Sequence, residues 1–141
     1  MKKESFPVSD LNTLFHSVET MHDEAITHIE ISNGCLIVEY GEIGKNDYYK
    51  PFNKVTVTYE LKYADPIDYN LYVYIIKNNS LKYITVPEGL DWLNEWNMLM
   101  FKYDIDIWGE MCIYFNIDNG KKYYNVEFHF TPESIEYCWE E

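Results

Sequence analysis

From residue 54 onward the chain alternates almost without fault. Val55, Val57, Tyr59, Leu61 and Tyr63 fall on one parity, and Lys54, Thr56, Thr58, Glu60 and Lys62 on the other. Successive side chains of a strand point to opposite faces, so the pattern predicts a strand with one dry and one wet side. The same period governs Ile26 to Ile31 and Cys35 to Tyr40, which flank Asn33-Gly34. That dipeptide predicts a tight hairpin, because both central residues of its favoured turn need positive φ. Leu71 to Ile76 is apolar on both parities and reads as a central strand, turned by Asn78-Asn79 into Leu81 to Val86. Further strands are expected around Phe101, Tyr103, Ile105 and Ile107, over Met111 to Ile117, and over Tyr124, Val126, Phe128 and Phe130. Asp118-Asn119-Gly120 supplies the turn between the last two. The segment 133–141 fits a helix or a strand.

Two stretches carry a helical period instead. Leu11, Leu14, Phe15, Val18 and Met21 are spaced three and four apart behind Ser9, a good N-cap. Pro87 then closes a strand, and the spacing of Leu90, Trp92, Leu93, Trp96 and Asn97 predicts a short helix over 88–97. The expectation is therefore an α+β fold: one domain over 1–141, dominated by an antiparallel sheet of about seven to eight hairpin-connected strands. It carries an N-terminal helix and the short helix near 88–97. No repeat, linker or low-complexity tract divides it.

Composition narrows the function classes. The 141 residues hold 24 Asp and Glu against 11 basic residues, for a formal charge of −13, and no residue is arginine. A phosphate-binding surface needs clustered cations, best of all guanidinium, so nucleic acid and anionic membrane are the least expected partners. The 14 Tyr, 7 Phe and 4 Trp exclude intrinsic disorder despite the charge. Three cysteines, Cys35, Cys112 and Cys138, behind a start with no apolar leader run, point to free thiols in the cytoplasm.

Candidate chemistry is sparse. No Gly-x-Ser-x-Gly elbow and no phosphate-cradling glycine loop is present. The adjacent His22-Asp23, with His28 six residues on, is the one set that tertiary proximity could turn into a metal-dependent hydrolase or a small-ligand site. Its spacing matches neither helix nor strand ligation. Asp104 and Asp106 share a strand face near Glu110, and Glu127 pairs with His129 on another; both read more simply as solvated faces. No cofactor is expected.

The stretch from Trp108 to Phe130, with Ile135 to Trp139, resembles the YezG-like antitoxins, small acidic immunity proteins of bacterial toxin systems. Trp108, Phe115, Gly120, Lys121, Phe128 and Trp139 occupy the places of that pattern: a tryptophan, an apolar strand, an Asn-Gly-Lys turn, an aromatic return strand and a terminal tryptophan. The His22-Asp23 pair before the first hairpin is similar to other β-rich bacterial families, some of them also immunity proteins. The resemblance implies a non-enzymatic protein-binding module that masks a basic toxin. The contact surface expected from charge and periodicity is Asp104, Asp106, Trp108, Glu127, Trp92 and Trp96.

Overall fold

The protein was analysed as a computed structural model, which describes residues 2–7, 24–41, 54–62, 69–106 and 108–140. Ten strands make up the described chain. They are β1 (Lys2–Pro7), β2 (Ala25–Ser32), β3 (Cys35–Tyr40), β4 (Lys54–Leu61), β5 (Tyr69–Lys77), β6 (Ser80–Tyr83), β7 (Asn97–Ile105), β8 (Met111–Asp118), β9 (Tyr123–Phe130) and β10 (Pro132–Glu140). All pair antiparallel in one sheet of order β1-β10-β4-β3-β2-β7-β8-β9-β5-β6.

The fold is all-β, which corrects the α+β expectation and its strand count. Among the described residues no α-helix occurs. The helix expected over 88–97 is a single 3₁₀ turn, Asp91–Glu95. Leu90 and Leu93 are buried, but the turn is too short for an α-helix and Asn97 already begins β7. The N-terminal helix expected behind Ser9 lies outside the described residues. Of the segment 133–141, open between helix and strand, the described residues 133–140 form most of β10.

A single ten-stranded sheet cannot stay flat and still hide one face from water. Here it folds over itself. β2 and β7 meet through only two residue pairs, Ala25 with Leu99 and Ile26 with Met98. This short seam divides the sheet into two halves of five strands. Register shifts interrupt both seam strands, between Ile26 and His28 in β2 and between Met100 and Lys102 in β7. Such irregularities bend a strand and increase its twist. At the opposite end one residue, Thr131, carries the chain from β9 in one half to β10 in the other, and its carbonyl accepts a hydrogen bond from the Lys62 N–H at 2.8 Å. The Tyr59 and Phe130 rings, five strands apart in the sheet order, consequently touch edge to face at 4.8 Å.

The core lies between the two inner faces. Leu36, Val38, Tyr40, Val55, Val57, Tyr59, Ile135 and Tyr137 from one half meet Met100, Met111, Ile113, Phe115, Ile117, Val126, Phe128 and Phe130 from the other. Each set follows the period of two that the sequence displays. Past the seam, β2 would expose an unpaired edge at Ile29. Asn94 of the 3₁₀ turn covers it: the Ile29 N–H donates to Asn94 Oδ1 at 2.9 Å, and Asn94 Nδ2 donates to the Ile29 carbonyl at 2.9 Å. One amide side chain thus stands in for the missing strand, with the geometry of a backbone pair.

Two strands depart from expectation. β5, read as central, is next to last in the sheet and is flanked by the edge strand β6, so its second apolar parity faces outward. In β7 the shift after Met100 sets Phe101 outside and half exposed, where alternation placed it in the core.

Candidate functional site

The outward face of β7, β8, β9, β5 and β6 holds most of the chain's described exposed rings. Its rows follow from the strand register. One runs Asp104, Cys112, His129, Asn70; the next Lys102, Tyr114, Glu127, Tyr72; a third joins Asn116, Asn125, Tyr74 and Tyr83. Beyond Tyr74 the β5–β6 hairpin outruns its pairing with β9 and carries Ile76 opposite Leu81. Ile76, Leu81, Tyr83 and Tyr123 are each more than half exposed, and Tyr72 is 42% exposed.

The rings support one another. Tyr83 lies 6.1 Å from both Tyr72 and Tyr74, and Tyr72 meets the His129 imidazole edge to face at 5.6 Å. Carboxylates rim them. Glu127 accepts from the Tyr74 hydroxyl at 3.5 Å and stands 3.7 Å from His129 Nε2. Burial first, then the Glu127 charge and hydrogen bond, raise the Tyr74 pKa above its usual value, so the hydroxyl stays protonated as a donor.

At the β8 end of the face lies a cluster that spacing in the sequence did not reveal. His129 Nδ1 contacts Glu110 Oε1 at 3.2 Å, and His129 Nε2 stands 3.5 Å from the Cys112 thiol. A carboxylate only accepts, so Nδ1 carries the proton toward Glu110, and Nε2 of the neutral ring can accept from the thiol. Residues 110, 112 and 129 meet because β8 and β9 register Cys112 against His129. Thiol, imidazole and carboxylate in that order repeat the connectivity of a cysteine nucleophile with its base and orienting acid.

The environment does not activate it. Cys112 is only 5% exposed, and burial pushes its thiol up to about 11, outweighing the Tyr114 hydrogen bond that favours the thiolate. Reactive cysteines are exposed and shifted the other way. Cys112 also lies within β8, between β7 and β9, where its backbone is committed to the ladder rather than to an oxyanion hole. Tyr114, beside it, is likewise raised by burial and by Cys112.

The expected contact residues scatter over the molecule. Asp104 and Glu127 share the aromatic face, with Asp104 3.7 Å from Lys102. Asp106 is exposed, and its Oδ1 accepts the backbone N–H of Trp108 at 2.9 Å and of Glu110 at 3.0 Å, which closes the β7–β8 turn. Trp108, at that turn, is 81% exposed and borders a shallow recess of about 370 Å³ with Lys62, Thr131 and Glu133. Trp92 and Trp96 are half buried against the core on the inward side, away from the other four.

His22 and Asp23 lie outside the described residues. His28 is partly exposed, 3.8 Å from Glu30. No group of three His, Cys, Asp or Glu side chains among the described residues is placed to hold a metal ion. No helix among them is long and apolar enough to cross a membrane. Comparison with known proteins adds no relative: no family model, curated protein or solved structure matches the chain.

Proposed function

We propose that this chain is a non-enzymatic protein-binding module, that its partner is a basic protein, and that its contact surface is the outward face of β9, β5 and β6. The observation that carries this reading is the cluster of Tyr72, Tyr83, Tyr123, Ile76 and Leu81 on one exposed face, bordered by Glu127, Asp118 and Glu110. Tyrosines supply large contact area at small entropic cost, and apolar side chains at the centre of an acidic rim make an interface core. The charge of −13 speeds encounter with a cation and disfavours nucleic acid. With the likeness of Trp108 to Phe130 to the YezG-like antitoxins, the specific form proposed is an immunity protein that occludes a basic toxin.

Titration of the purified chain with basic toxin domains of its host, at rising ionic strength, tests this. The reading predicts a complex whose affinity falls with salt and falls again when Tyr72 and Tyr83 are replaced by serine. Salt-independent binding, binding indifferent to both tyrosines, or no complex with any basic domain would overturn it.

A further inference from the structure

A second feature lies on the inward side of β9, where Tyr124 points, opposite to Tyr123. Trp92, Trp96 and Tyr124 wall a cavity of about 370 Å³ that is open to solvent on one side, completed by Glu95, Asn119, Lys122 and the chain at 84–87. That volume falls in the range of small-molecule sites.

Its walls are held from behind. Leu90 and Leu93 bury the 3₁₀ turn, and the Asn94 clasp ties it to β2. The Trp92 indole N–H donates to the Gly89 carbonyl at 3.0 Å, at a glycine whose φ of +78° a larger residue would resist. Trp96 leans on the Tyr124 ring with centroids 5.7 Å apart. Aromatic walls with a single carboxylate among them are the chemistry that receives an organic cation, because ring faces attract it and the carboxylate balances its charge. The net charge of the chain favours the same ligand. We infer that the Trp92–Trp96–Tyr124 cavity binds a small organic ammonium ion of the quaternary or methylated kind. The inference does not depend on the outward face or on its partner.

Lys122 is the one opposing charge in the lining. Its charge opposes that of a bound cation, so its removal is expected to strengthen binding.

Choline and its neutral isostere 3,3-dimethylbutan-1-ol separate a cation site from a merely greasy one. Indole N–H resonances of the full chain, assigned with Trp92→Phe and Trp96→Phe, follow both titrations. Choline is expected to shift the Trp92 and Trp96 signals saturably with a dissociation constant of about millimolar, about tenfold tighter than the isostere. Glu95→Gln weakens choline severalfold and Lys122→Met tightens it. Both replace exposed side chains, so the fold is retained. Equal binding of the isostere, shifts that spare both indoles, or no saturable shift would overturn the assignment.

Discussion

The two halves of the folded sheet hide similar interiors and show the solvent different exteriors. Outward from β2, β3, β4 and β10 stand Glu30, Glu39, Thr56, Thr58, Glu60 and Glu136, with Ile37 among them. These pair locally: Lys54 with Glu39 at 3.2 Å, and the Ser134 hydroxyl donating to Glu60 at 3.1 Å. Outward from β9, β5 and β6 stand Tyr72, Tyr74, Tyr83, Tyr123, Ile76 and Leu81. Both exteriors are acidic, and among the described residues only one is aromatic. Charge is therefore spread over the molecule, whereas the exposed rings are gathered on one face. A sequence of this charge with its tyrosines distributed evenly would have the first property without the second.

The comparison breaks most visibly in binding. Replacing Tyr72 and Tyr83 together by serine should cost partner affinity about 100-fold, roughly 3 kcal/mol, in a calorimetric titration. Replacing Thr56 and Thr58 by serine on the other exterior should leave it unchanged. The threonine changes are expected to alter stability by less than about 0.5 kcal/mol each, since neither residue is buried, and the tyrosine changes by roughly 1 kcal/mol each through their lost ring contacts.

The seam between the halves gives the next effect. Asn94→Ala removes both bonds to Ile29 and leaves a backbone N–H and carbonyl unmatched at a closed edge, which should lower unfolding free energy by about 2 kcal/mol in urea. Asn94→Gln should not restore it, because an extra methylene displaces the amide from the strand edge.

A third effect is confined to alkaline pH. The Cys112 thiol rises from 9.0 to about 11 on folding, so the unfolded chain loses this proton first. The contribution of that neutral thiol is complete below about pH 9 and disappears as pH climbs through about 11. It amounts to about 3 kcal/mol at most. Cys112→Ala should flatten stability across that window relative to the parent chain. Native-state alkylation should accordingly mark Cys35 and Cys138 before Cys112.

The smallest effect concerns Trp108. Its 81% exposure predicts that Trp108→Ser changes the melting free energy by less than about 0.5 kcal/mol. A larger loss would mean that the β7–β8 turn depends on the ring rather than on the Asp106 carboxylate.

How much of this was written in the sequence depended on how local its cause was. Asn33-Gly34 and Asn78-Asn79 take the positive φ values their turns require, at 51° and 76° and at 52° and 63°. The alternation of β4 is reproduced side chain by side chain, because a half-buried strand imprints its period directly. The rank of β5 in the sheet was not legible, since an apolar strand looks the same whether its second face meets a core or solvent. Phe101 was misplaced by a bulge, which shifts parity without leaving a compositional trace.

The site followed the same rule. Asp104 and Glu127 could be placed on outward strand faces from period alone. Tyr72 and Tyr83 were not singled out, because their neighbourhood depends on which strands pair. Cys112, His129 and Glu110 meet only through the β8–β9 register, and no spacing within one strand announces it. Trp92 and Trp96 were recognised as unusual but assigned to the outer surface, where their helical spacing gave no direction.

The most direct measurement compares the two exteriors in one experiment: backbone amide shifts of the labelled chain as a basic partner is added. The account predicts perturbations concentrated at residues 72–83 and 123–127, vanishing at high salt, with 56–60 and 134–138 undisturbed. Perturbations centred on the threonine face, or spread evenly over both, would contradict it.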